Sequence, residues 1–69
     1  MKTSARNQFS GIVKELTKGP VSTEVTLEIA PGINVVAVIS TRSAETLGLA
    51  IGKRGYALMK ASSVVVAVD

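Results

Sequence analysis

Hydrophobic and polar residues alternate most regularly between Val21 and Ile29. Val21, Thr23, Val25, Leu27 and Ile29 fall on one side, and Ser22, Glu24, Thr26 and Glu28 on the other. Successive side chains of a strand point to opposite faces, so this period of two predicts a β-strand with one buried and one wet face. Asn7–Leu16 reads as an earlier strand, followed by a turn at Thr17-Lys18-Gly19-Pro20. Gly11 within it marks either a bulge or tight bend, or a plain packing contact. Ala30-Pro31-Gly32 breaks the alternation, and Ile33–Ile39 follows as a third strand in a hairpin with the second. Tyr56–Lys60 and Val64–Val68 read as a fourth and a fifth strand, separated by Ala61-Ser62-Ser63. The one helix candidate is Thr41–Leu47. Thr41 or Ser43 is its expected N-cap, Glu45 lies early enough to suit the dipole, and Gly48 is placed to end it. Gly52-Lys53-Arg54-Gly55 reads as a basic turn.

Five short strands with one helix between the third and fourth predict an all-β chain, a small five-stranded OB-like barrel. An SH3-like barrel or a small sandwich uses similar elements. Residues 1–69 read as a single domain, with no internal repeat or linker.

Two of these strands do not alternate. Val35-Val36-Ala37-Val38-Ile39 and Val64-Val65-Val66-Ala67-Val68 are apolar on both faces. A strand of a small antiparallel barrel has one wet face, and a chain this short has little left to cover a second apolar one. Exposed, such strands invite aggregation. The expectation is a homo-oligomer that buries their outer faces; the bland alternative is that the helix and loops cover them.

Composition narrows the chemistry. The 69 residues include no Cys and no His. Disulfides are therefore excluded, zinc, copper or iron sites lose their preferred ligands, and nucleophilic triads lose their base. Glu15, Glu24, Glu28, Glu45 and Asp69 form no pair suited to acid–base work, and no phosphate loop is present, so an enzyme is not expected. A net charge of +3 favours anionic partners. The start Met1-Lys2-Thr3-Ser4 carries no apolar leader segment, and no apolar run approaches the roughly 20 residues that span a bilayer. A cytoplasmic protein with no membrane partner is expected.

What the charge is for is hinted by two short segments. Ser4-Ala5-Arg6-Asn7 and Lys60-Ala61-Ser62-Ser63 each set a cation beside small hydroxyl residues, with no carboxylate nearby. A tetrahedral oxyanion offers only acceptors and wants backbone N–H groups, hydroxyls, Lys and Arg. Ser40-Thr41-Arg42-Ser43, at the expected helix start, and the turn Gly19-Pro20-Val21-Ser22 are further places of this kind. Each is commonplace alone: a lone Arg6 or Lys60 is ordinarily a solvated strand-end charge, and Ser62 an ordinary turn residue. Only their combination points to an anion site. The strand reading sets the two segments at the outer ends of the first and fourth strands, with a second subunit bringing one to its counterpart.

At these residues the chain resembles the molbindin, or Mop-domain, family of molybdate-binding proteins. The resemblance rests on Ser4-Ala5-Arg6-Asn7-Gln8, Val38-Ile39-Ser40-Thr41-Arg42-Ser43, Leu47-Gly48-Leu49, Gly52-Lys53 and Tyr56-Ala57-Leu58-Met59-Lys60-Ala61-Ser62-Ser63-Val64, and runs from Thr3 to Val68. It implies an OB-like barrel assembled into a hexamer, a trimer of dimers, with oxyanion sites at subunit interfaces. The implied ligand is molybdate, with tungstate as a substitute. By motif match Ser4, Arg6, Lys60 and Ser62 are implied as direct ligands, Ala5 and Ala61 as backbone N–H donors, and Thr41 as a hydroxyl donor. Gly19, Pro20, Val21 and Ser22 are implied as part of a second class of site. No DNA-binding or transporter domain accompanies the motif, which implies the free-standing type that stores or buffers the ion.

The competing reading is an OB-fold module for single-stranded nucleic acid. That mode needs aromatic platforms along a basic groove, and only Phe9 and Tyr56 are aromatic.

Overall fold

The alternating segment does form a strand, and the rest of the chain is built on it. The computed structural model describes every residue from Met1 to Asp69. Its elements are β1 (Asn7–Lys18), β2 (Ser22–Ala30), β3 (Ile33–Ser40), α1 (Thr41–Thr46), β4 (Arg54–Met59) and a single 3-10 turn at Ala61–Ser63. The strands make one sheet in the order β3-β2-β1-β4. Every neighbouring pair is antiparallel.

One face of this curled sheet encloses the core. Val13 of β1, Val25 and Leu27 of β2 and Ala57 of β4 are its buried members, rimmed by Leu16, Ile29, Val35, Ile39, Leu49 and Met59. The alternation in β2 is realised residue by residue: Thr23, Val25 and Leu27 are buried, while Ser22 and Glu24 are exposed. Pro31 and Gly32 make the β2–β3 turn, where Gly32 adopts φ +76°, a conformation that costs glycine little.

The expected all-β class with one helix between the third and fourth strands is what forms, but four strands pair rather than five. Val64–Val68 joins no ladder and lies exposed. It pairs with neither free edge of the sheet, and strand-forming residues alone do not make a strand. Lys60 also leaves β4, which begins earlier, at Arg54, and ends at Met59. The basic turn therefore contributes its last two residues to a strand.

Gly11 is not the bulge. The register shifts between Val13 and Glu15. At Gly11 a Cβ would stand 2.6 Å from the Glu28 carbonyl oxygen, so glycine is needed there for close backbone approach.

The helix is capped one residue earlier than expected. Ser40 is the N-cap, and its Oγ accepts from the Ser43 N–H at 3.0 Å. Glu45 sits in the last turn, not the first, and pairs with Lys18 at 3.6 Å across the surface. Gly48 does follow the helix, with φ +64°, and the Lys53 Nζ donates to its carbonyl at 2.9 Å. Ala44 alone buries itself beneath the helix.

Very little of the chain is buried. Only seven of 69 residues are buried, and the accessible surface is 5390 Å². A compact monomer of 7.1 kDa would expose roughly 4,100 Å². Many large apolar side chains contribute to the excess: Val36 and Val38 on the outer face of β3, Tyr56 and Leu58 on β4, Leu47, Ile51 and the terminal valines are all exposed. The helix and loops do not cover them.

Candidate functional site

The β1–β4 ladder brings the two polar segments together within one chain. Its terminal pair is Asn7 opposite Met59. The Asn7 Nδ2 donates to the Met59 carbonyl at 3.3 Å, tying the ends of the two strands. Arg6 and Lys60 are the next residues outward on either side. The expectation that a second subunit must bring these segments to one another is thus corrected: antiparallel pairing of the first and fourth strands already does so.

Thr3, Ser4, Ala5, Arg6, Lys60, Ala61 and Ser62 line one open cleft of about 500 Å³. Thr3 is the member that the sequence reading missed. Its signal was present, since it adds one more hydroxyl to the same run. Each wall has a simple local cause. On one side, Gln8 Nε2 donates to the Ala5 carbonyl at 2.8 Å and the Thr3 hydroxyl accepts from the Ala5 N–H at 3.1 Å, which turns the N-terminal segment back on itself. On the other, Ser63 N–H donates to the Lys60 carbonyl at 2.8 Å and closes the 3-10 turn. As the first residues of that turn, Ala61 and Ser62 have N–H groups with no acceptor inside it.

Electrostatically this cleft is one-signed. The ion pairs of the molecule are Lys14 with Glu28, at 3.8 Å, and Lys18 with Glu45. Arg6 and Lys60 belong to neither. Like charges facing one another across a strand pair destabilise it, and an anion between them reverses the sign of that interaction. The planar guanidinium supplies a fork and the ammonium a compact charge. The cleft is far larger than one small oxyanion requires, so one chain furnishes a wall, not an enclosure.

Thr41 lies elsewhere, beside the turn Gly19–Ser22. Its Oγ1 donates to the Gly19 carbonyl at 2.6 Å and lies 2.8 Å from the Thr23 Oγ1, while its N–H donates to the Val21 carbonyl at 2.8 Å. Thr23 is fully buried, so this pair of hydroxyls satisfies it. The Gly19 N–H donates to the Ser22 carbonyl at 2.9 Å, closing the turn. Thr41 and the turn therefore form one unit, separate from the cleft. No three carboxylates converge anywhere on the molecule.

Phe9 and Tyr56 do not share a platform. Phe9 lies opposite Ala57 and Tyr56 opposite Ser10 in the same ladder, which sets the two rings on opposite faces. No helix is long and apolar enough to cross a membrane.

A family model described as the TOBE domain matches residues 3–66. Among named relatives, the molybdenum transport protein ModE of Azotobacter vinelandii is 51% identical over 69 residues, which is all of this chain but 26% of that protein. Molybdenum-pterin-binding protein 2 of Clostridium pasteurianum is 44% identical over 66 residues, covering 96% of this chain and 97% of the relative. Among solved structures, a molybdate binding protein from Sporomusa ovata superposes with a TM-score of 0.91 at 35% identity, over 99% of this chain and 100% of that one. The cytoplasmic molybdate-binding protein ModG, in a form with molybdate bound, gives 0.83 at 44% identity, over 88% of this chain and 43% of that one.

Proposed function

Because the chain belongs to the TOBE-domain family, in its Mop (molbindin) group, we propose that it binds molybdate, and tungstate with it, for intracellular storage or homeostasis. The observation that carries this reading is the pair of unneutralised cations, Arg6 and Lys60, at the matched ends of β1 and β4. Ser4, Arg6, Lys60 and Ser62 act as direct ligands. Ala61 contributes its free N–H, and Ala5 contributes its own once the anion displaces the Thr3 hydroxyl that now accepts from it. Thr41 and the turn Gly19, Pro20, Val21 and Ser22 form a second, separate oxyanion site.

The ion is held between subunits of a homo-oligomer, a hexamer built as a trimer of dimers. Two features support this. The cleft is a single open wall, and a dianion is expensive to bury unless it is surrounded by donors. The accessible surface exceeds that of a compact monomer by about 1,300 Å², and exposed apolar side chains contribute to it, enough for a specific interface of standard size. The relatives are named as binding and transport proteins, and the reading is of a cytoplasmic binding protein, not an enzyme. The nucleic-acid reading loses its footing with the two rings on opposite faces, where they cannot stack successive bases.

Titration calorimetry with molybdate, tungstate, sulfate and phosphate, run beside native mass spectrometry, tests the proposal. Tight binding of molybdate and tungstate by an oligomer is expected, with sulfate and phosphate much weaker. Equal affinity for sulfate would sink the molybdate assignment while sparing the anion site. A monomer at micromolar concentration would remove the interface.

A further inference from the structure

Ala5 is held at both of its backbone polar groups. Its N–H donates to the Thr3 hydroxyl at 3.1 Å, and its carbonyl accepts from the Gln8 Nε2 at 2.8 Å. The two bonds differ in what anchors them. Gln8 belongs to β1 and lies opposite Leu58 of β4, so the ladder fixes its end of the clamp. Thr3 lies outside every element and is exposed, on the wall of the anion cleft.

We propose that Thr3 is a built-in stand-in for the ligand. Its hydroxyl fills the place of an anion oxygen on the Ala5 N–H while the cleft is empty, and yields that place when the anion enters. Thr3 thereby limits how tightly the site binds. The inference rests on the function proposed above, because the exchange needs the Ala5 N–H to be a donor to the anion.

A hydroxyl and an oxyanion offer an N–H group the same thing, an oxygen lone pair. They differ in charge. Charge-assisted hydrogen bonds are roughly twice as strong as neutral ones. The anion therefore wins the N–H, but gains only the difference between the two bonds. Thr3 loses little in the exchange, since its exposed hydroxyl turns to water. Its β-branch restricts χ1, which keeps the oxygen poised for the return.

Gln8 supplies the other half of the device. It holds the Ala5 carbonyl whichever partner the N–H has, so the donor keeps its aim while its acceptor changes. The empty site is then preorganised, and the bound ion always faces a competitor carried by the same chain. That suits reversible holding of an ion. A purely local turn predicts the opposite effect. Thr3 would then steady Ser4–Arg6 in both states, and losing its hydroxyl would weaken binding.

Calorimetry with molybdate on the full chain, using the parent, Thr3→Val and Thr3→Ser, tests this. Thr3→Val keeps the shape and removes the acceptor. With no competitor to displace, it is expected to bind molybdate about two- to tenfold more tightly than the parent. Thr3→Ser keeps the hydroxyl and should stay closer to the parent than to Thr3→Val. Amide exchange of Ala5, followed by NMR, gives a second readout. It should be faster in ligand-free Thr3→Val than in the ligand-free parent, and alike in the two once molybdate saturates them. Equal or weaker binding by Thr3→Val would overturn the proposal, as would an Ala5 amide that exchanges alike in the two empty proteins. A gain in Thr3→Ser as large as that in Thr3→Val would show that the hydroxyl is not the cause, and overturn it too. Molybdate heat from the parent with no gain in Thr3→Val fails this inference alone. A parent that gives no molybdate heat fails the ligand assignment, and the inference with it.

Discussion

Arg6 and Lys60 carry the functional argument at the scale of single residues. Each is expected to make charge-assisted hydrogen bonds to the anion, worth about 1.5–3 kcal/mol apiece. Arg6→Ala and Lys60→Ala should therefore each weaken molybdate binding roughly 10- to 100-fold by calorimetry. Arg6→Lys keeps the charge but loses the fork, and should fall between parent and alanine variant. If both alanine variants bind like the parent, the site is elsewhere. Thr41 makes a different kind of claim. Its hydroxyl donates to Gly19 and partners the buried Thr23. Thr41→Val leaves that buried hydroxyl and a carbonyl unsatisfied, at a cost of about 1–3 kcal/mol. The thermal midpoint should drop by about 4–8 °C for each kcal/mol in a domain of this size. An unchanged melt would mean that water replaces the lost partner.

Among the elements, the strands were legible and their ends were not. β2 was readable because its two faces meet different solvents, so the sequence repeats with the pleat. The N-cap was misplaced by one residue, because Ser40, Thr41 and Ser43 are all competent caps and only the chain's exit from β3 selects among them. Ser40→Ala removes the acceptor of the Ser43 N–H. A loss of about 1 kcal/mol is expected in denaturant titration, and Thr41→Ala, with the cap intact, should not mimic it through the helix end. The bulge was misplaced for a similar reason. Gly11 signals an irregularity, but the partner strand's carbonyl, not the local sequence, determines that this glycine serves close approach while the register slips at Lys14. Val64–Val68 has strand-forming residues but joins neither edge of the sheet, so propensity predicted an element that does not form.

For the whole molecule the deciding quantity is surface. A chain that buries 7 of 69 residues has little core to hold it, and many of its valines are exposed; the proposed homo-oligomer therefore makes stability depend on association. Its melting temperature should rise with protein concentration, and rise further with molybdate. Ligand at a hundredfold excess over Kd adds about 2.7 kcal/mol by mass action. Differential scanning calorimetry across protein and anion concentrations checks both, and a midpoint independent of each would mean a self-sufficient monomer that ignores the ion.

Sequence by itself determined the all-β class, the helix between the third and fourth strands, the absence of Cys and His, and the two cationic segments with small hydroxyl neighbours. These follow from local periodicity and residue chemistry, which a linear reading contains. Tertiary structure decided that the two segments are neighbours. The register that sets Asn7 against Met59 depends on a pairing of residues 52 positions apart, which no local pattern encodes. It also decided that Thr41 belongs with the Gly19 turn, and that the last apolar run finds no place in its own sheet. Burial is a property of what packs around a residue, and for Val64–Val68 that surrounding is not supplied by the chain that carries it.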